Sequence, residues 1–135
     1  MLQGLHALRY LLDTNAWIGF FEGRKGFGSR AKKLITESPG ECVVSIASIW
    51  EAAIKTSLGK LHLPYDLEED LPRLLARNGF EVLPISFSEA AAVRDLPAVH
   101  GDPFDRLMVV QARLNDLDIV SSDQVFEAYG LRRIW

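Results

Sequence analysis

Short apolar runs alternate along this chain with longer stretches whose apolar positions recur at helical spacing. The runs at 8–12, 42–45, 81–85, 118–121 and 131–135 predict strands, because each is brief and bounded by polar or turn-forming residues. Residues 28–37, 48–58, 66–78, 88–95 and 103–115 predict helices. Ser-Pro-Gly at 38–40, Arg-Asn-Gly at 77–79 and His-Gly-Asp-Pro at 100–103 mark turns. Strands separated by helices need crossover connections, so the pattern predicts a mostly parallel sheet with helices on both faces. In such folds ligands bind outside the carboxyl ends of the strands, where the strand order reverses.

Composition narrows the class. The chain has 135 residues, 48% hydrophobic and 24% charged, which fits one soluble domain spanning 1–135 with a self-supporting core. With 18 acidic and 15 basic side chains the net charge is −3, which excludes a strongly basic nucleic-acid-coating protein but not an enzyme acting on nucleic acid. Cys42 is the single cysteine, set in an apolar run, so neither a disulfide framework nor a thiolate metal cage is expected. A reducing cytoplasmic setting is the expectation, with no membrane span and no secretory leader.

Four acids fall where a site is expected. Asp13 follows the first strand and Asp123 the fourth. Glu51 lies in the first turn of the helix after the second strand, and Asp105 in the first turn of the helix entered through Asp102-Pro103. Each has a local explanation. Ser48-x-x-Glu51 matches a capping box, Asp102 a helix cap followed by Pro103, Asp13 an Asx turn, and Asp123 the cap of a short helix. Four such acids at one sheet edge are harder to explain as four independent caps, because like charges repel unless a cation neutralises them. Oxygen ligands without cysteine or a histidine pair favour Mg²⁺ or Mn²⁺.

Other candidates receive structural readings. His6, His62 and His100 lack metal-ligand spacing, and His100 reads as a turn histidine. Trp17, Phe20 and Phe21 lie at helical spacing and suit a core or a partner surface. Arg24, Lys25, Arg30, Lys32 and Lys33 form the densest basic cluster, a solvated face with some capacity for phosphate contact. No glycine-rich phosphate loop is present.

The segments L-L-D-T-N-A-W-I at 11–18, S-I-A-S-I-W-E-A-A-I-K-T-S-L-G-K-L at 45–61, L-P-A-V-H-G-D-P-F-D-R-L-M-V-V-Q-A at 96–112 and I-V-S-S-D at 119–123 resemble the PIN-domain nucleases, in particular the VapC-like toxins of bacterial toxin–antitoxin pairs. The resemblance runs from about residue 8 to the C-terminus, and since many relatives begin almost at the first strand it implies that residues 1–7 are an N-terminal extension or an alternative start. It implies a three-layer α/β/α fold with a central parallel sheet of four or five strands. It assigns Asp13, Glu51, Asp105 and Asp123 as the catalytic and metal-binding acids. Thr14, Asn15 and Ser121 match positions that orient those acids or their water; serine stands at 121 where threonine is common. Asp102 belongs to the same motif and is placed as a cap or a supporting residue.

The expected activity is Mg²⁺- or Mn²⁺-dependent hydrolysis of RNA phosphodiester bonds, with water attacking in line to leave a 5′-phosphate and a 3′-hydroxyl. The resemblance adds a cognate antitoxin covering the acidic groove and a homodimer built from helical faces. An exposed apolar patch around Trp17, Phe20 and Phe21 is the expected seat of the antitoxin tail. Two readings compete: a receiver-like phosphoacceptor domain and a non-catalytic interaction module of the same fold. The receiver reading needs an aspartate after the third strand, where this chain has Pro84-Ile85-Ser86.

Overall fold

The computed structural model of the chain describes residues 9–135. The extension expected at 1–7, and His6 within it, lie outside the described residues. Five strands form one sheet: β1 (Tyr10–Leu12), β2 (Cys42–Ser45), β3 (Glu81–Leu83), β4 (Asp118–Val120) and β5 (Arg133–Ile134). Their order is β3-β2-β1-β4-β5 and every pairing is parallel. Leu11 pairs with Val43 on one side and Ile119 on the other, so β1 is central.

Alternation along the strands divides the core. Tyr10, Leu12, Cys42, Val44 and Val120 face one cluster, packed by Trp17, Ala31, Ile35, Leu71 and Leu75. Leu11, Val43 and Ile119 face the other, packed by Met108, Val109, Val110 and Phe126. A sheet covered on both faces explains why its central strands read as continuous apolar runs. The expected three-layer α/β/α architecture is therefore present. Cys42 is fully buried, and burial followed by repulsion from Glu41 pushes its thiol up to about 12.

Helices α1 (Thr14–Glu22), α2 (Ser29–Glu37), α3 (Ile46–Ser57), α4 (Leu71–Arg77), α5 (Phe87–Ala92), α6 (Pro103–Leu114) and α7 (Val125–Ala128) fill the outer layers. Several boundaries depart from expectation. Helix α1 is not among the predicted helices, although Trp17, Phe20 and Phe21 stand at helical spacing, and it starts directly on leaving β1: Asp13 caps it, and Gly23, at φ 64°, ends it by donating its N–H to Gly19 and Phe20 carbonyls. Helix α3 starts at Ile46 because the Ser45 hydroxyl accepts the Ala47 N–H. Helix α4 loses its expected start because the Asp66 carboxylate takes the N–H groups of Glu68 and Glu69, holding 66–70 in turns. Strand β3 stops before Pro84, which has no N–H to continue a ladder.

The C-terminal residue closes the sheet edge against α2. The Trp135 ring lies 4.6 Å from that of Phe27, and a Cβ on Gly28 would sit 2.5 Å from the Trp135 carbonyl carbon. Gly28→Ala is therefore expected to cost about 1–3 kcal/mol in urea unfolding, from overpacking. A loss below about 0.5 kcal/mol would show that Trp135 moves aside freely.

Candidate active site

The chain leaves β1 and turns into α1 at Asp13, so this side chain stands at the carboxyl edge of the sheet. Its backbone N–H donates to the Val120 carbonyl at 3.1 Å, continuing the β1–β4 ladder by one residue. Its Oδ1 accepts the Ala16 N–H at 2.8 Å, and its Oδ2 accepts the Ser121 hydroxyl. Ser121 is fully buried at the end of β4, and its Oγ also accepts the Asp123 N–H at 2.9 Å. One hydroxyl thus links the acids that follow the first and fourth strands. Asp123 is exposed, and its Oδ1 accepts the Val125 N–H at the start of α7.

Glu51 reaches the same place from α3. Thr14 Oγ1 donates to its Oε1, and Lys55 Nζ lies 3.0 Å from its Oε2. Because α3 begins at Ile46, Glu51 lies in the second turn, and Ser48-x-x-Glu51 is no capping box. The Ser48 hydroxyl donates to the Ser45 carbonyl instead. A true capping box stands at Ser86 and Glu89 on α5.

Helix α6 supplies the remaining acids. Asp102 Oδ1 accepts the N–H groups of Phe104 and Asp105, making it the cap. Asp105, in the first turn, pairs with His100 Nε2 at 3.1 Å. One ligand atom each from His100, Asp102 and Asp105 lie within 4.8 Å of one another. The loop carrying His100 is secured by Arg106, whose guanidinium donates to the carbonyls of Val93, Leu96, Pro97 and His100. Tyr129 Oη accepts the His100 N–H at 3.0 Å.

These groups line one cleft of about 250 Å³: Asp13, Thr14, Asn15, Glu51, Lys55, His100, Asp102, Asp105 and Asp123. Of the eight residues the sequence nominated, seven line it and Ser121 lies beneath. Lys55 was missed; its one signal was the Glu51-x-x-x-Lys55 spacing of a helical ion pair. His100, read as a turn residue, is in the cleft through its bond to Asp105.

The electrostatics are those of a cation site. Burial pushes the Asp13 carboxyl up to about 6, against the lowering effect of its bonds from Ser121 and Ala16, with Glu51 and Asp123 adding repulsion. Asp105 is pushed up to about 7 by burial first, then by Asp102 and Glu51, with the His100 bond opposing. Five carboxylates face Lys55 and His100, and every acidic donor is oxygen. That donor set suits a hard divalent ion, which would supply the missing positive charge.

Two other expectations change. Trp17 is fully buried, its Nε1 donating to Ser48 Oγ at 3.0 Å, so it offers no surface to a partner. Phe20 and Phe21 are partly buried against the core, with the Phe21 ring stacked 5.6 Å from Phe80. Ile46, Trp50 and Ile54 on α3 and its C-cap Leu58 form an exposed apolar row, with Phe104 edge-on to Trp50, and Phe87 at the start of α5 is exposed apart from it. From the basic cluster, Arg24, Lys25 and Lys32 line a separate cavity of about 310 Å³ with Phe20 and Phe27.

A family model described as PIN domain matches residues 10–131. Among solved structures, the DNA-bound VapBC of Salmonella typhimurium is similar at 18% identity and a TM-score of 0.69, over 94% of this chain and 97% of that one. VapBC2 of Rickettsia felis, bound to a DNA fragment from its promoter, is similar at 14% identity and 0.66, over 93% and 97%. FitAcB of Neisseria gonorrhoeae is similar at 19% identity and 0.61, over 92% and 95%. No curated protein sequence matches.

Proposed function

Because the chain belongs to the PIN domain family, whose members are nucleases, we propose that it is a Mg²⁺- or Mn²⁺-dependent endoribonuclease acting as the toxin of a toxin–antitoxin pair. The convergence of Asp13, Glu51, Asp105 and Asp123 on one cleft, from four separate elements, carries this reading. These four would hold the cation. When bound, such an ion makes hydroxide available near neutral pH and stabilises charge developing on the attacked phosphate.

The remaining roles belong to the chain itself. Ser121 and the Ala16 N–H orient the Asp13 carboxylate, and Thr14 orients that of Glu51. Glu51 serves as a ligand or as the base that positions water. His100 and the Asp102 cap fix Asp105 at the mouth of α6. Lys55 holds the second oxygen of Glu51 and places a positive charge at the cleft wall, where a phosphodiester would approach. No step requires a side-chain nucleophile. The phosphoacceptor alternative finds no support, since β3 gives way to Pro84-Ile85-Ser86 without an acid.

An antitoxin is the proposed protein partner, supported by the VapBC and FitAcB likeness, with a basic group of its tail meeting the carboxylates. The apolar stripe on α3 is the proposed seat of a second copy of the chain, while Trp17, being fully buried, no longer serves as the seat of the antitoxin tail. No helix among the described residues is long and apolar enough to cross a membrane. A cytoplasmic location, where RNA and antitoxin would be met, belongs to the same proposal.

Purified protein incubated with an RNA and a single-stranded DNA of the same sequence tests the activity. Cleavage of the RNA in MgCl₂ or MnCl₂, abolished by EDTA and leaving 5′-phosphate ends, is expected. Undiminished cutting in EDTA, or 2′,3′-cyclic phosphate ends, would refute metal-dependent hydrolysis by water.

A further inference from the structure

Beneath the cleft runs a chain of polar side chains that touches no solvent. Trp17 Nε1 donates to Ser48 Oγ at 3.0 Å, and Ser48 Oγ donates to the Ser45 carbonyl at 2.9 Å. Ser45 Oγ donates to Gln111 Oε1, and Gln111 Nε2 donates to the Pro84 carbonyl at 3.1 Å and to Glu89 Oε1 at 3.3 Å. Trp17, Ser45, Ser48 and Gln111 are all 0% exposed.

The path connects the helices that present the acids. Trp17 is on α1, capped by Asp13; Ser45 and Ser48 open α3, which carries Glu51; Gln111 is on α6, which carries Asp105. Apolar contacts hold helices together without fixing their relative shift, because they have no preferred direction. Hydrogen bonds have narrow distance and angle requirements, so a buried chain of them sets one position. Packing alone gives no reason for four polar side chains here, since apolar residues of similar shape would fill the same space without partners to satisfy. Resting on the metal-dependent reading above, we infer that Trp17, Ser48, Ser45 and Gln111 are positioning residues whose hydrogen-bonded chain sets the spacing of Asp13, Glu51 and Asp105 for a shared cation. They touch neither substrate nor ion.

The test compares Trp17→Phe and Gln111→Met, which keep most of the side-chain volume, with Val109→Ala, a buried α6 substitution outside the chain. Mn²⁺ affinity is read by electron paramagnetic resonance, and kcat and KM on an RNA oligonucleotide at saturating Mn²⁺. Both chain variants are expected to weaken Mn²⁺ binding about fivefold or more. Their kcat should fall about 10- to 100-fold with KM within about twofold, as for a misplaced reacting geometry. The double variant should lose less than the product of the two single losses, because the residues act as one unit. Val109→Ala should lower Tm at least as much and leave Mn²⁺ affinity and kcat within about twofold. Ser48→Ala, which removes a single hydroxyl, replaces Trp17→Phe if that protein does not fold. Wild-type values in the chain variants, or equal losses in Val109→Ala, would overturn the inference. A wild-type protein that binds no Mn²⁺ and cuts no RNA would overturn the functional reading, and this inference with it.

Discussion

Asp105→Asn should lower the rate of RNA cleavage by about 10³-fold or more, equivalent to about 4 kcal/mol of transition-state stabilisation. Burial first, and then the neighbouring acids Asp102, Glu51 and Asp13, oppose the ionisation of Asp105. The amide is isosteric and retains an acceptor for the N–H of His100. It removes one negative charge from the set proposed to hold the cation. The fold should survive, because Asp102 rather than Asp105 caps α6. Initial rates at saturating Mg²⁺, with circular dichroism to verify folding, decide the matter. A variant retaining a tenth of wild-type activity would remove Asp105 from the catalytic set.

The second large effect is on stability and carries the opposite sign. Asp13 has its carboxyl raised from 3.8 to about 6, chiefly by burial. Between about pH 4 and 6 the folded metal-free protein therefore binds more protons than the unfolded chain. Stability then falls as pH rises through that window and levels off above it. For Asp13 alone the loss is about 3 kcal/mol. Asp105, raised by burial first and then by its acidic neighbours, acts in the same direction up to about pH 7. Asp13→Asn should thus stabilise the metal-free protein by about 2–3 kcal/mol at pH 8 and by little at pH 4. Urea titrations in EDTA at the two pH values measure this. Destabilisation of equal size at both would mean that the Asp13 charge carries no cost in the fold.

The same protons govern cation binding. A divalent ion must displace them from Asp13 and Asp105, so the apparent affinity should climb from pH 5 to pH 8. The stabilisation conferred by Mg²⁺ should climb with it and shrink in Asp13→Asn. A site that costs stability when empty of counter-charge and regains it on loading is the expected signature of carboxylates gathered for a cation rather than for the fold.

What was legible in the sequence follows from locality. The three central strands were readable because a buried parallel strand must be a short apolar run, and Leu11, Val43 and Ile119 occupy such runs; β3, exposed at Glu81 and Val82, was readable from its bounding turn residues instead. Asp13, Asp105 and Asp123 were readable because each immediately follows a strand or opens a helix. Glu51 was placed correctly in the cleft but one turn early in its helix, since Ser48 resembles a cap as well as Ser45 does. Helix α1 was not predicted as an element, although Trp17, Phe20 and Phe21 stand at helical spacing, because its nine residues are predominantly apolar and the successive residues Ala16, Trp17, Ile18 and Gly19 are all buried. Periodicity cannot distinguish such a segment from a strand or a surface patch.

By itself the sequence determined the parallel α/β architecture and the acids at its carboxyl edge, because strand period and capping chemistry are properties of neighbouring residues. Only the tertiary structure decided that Trp17 is interior, that Lys55 and His100 join the cleft, and that the Asp13 and Asp105 carboxyls are raised to about 6 and about 7. Those outcomes depend on which residues, tens of positions apart, are pressed together away from water, and neither burial nor the repulsion between converging charges is a local quantity.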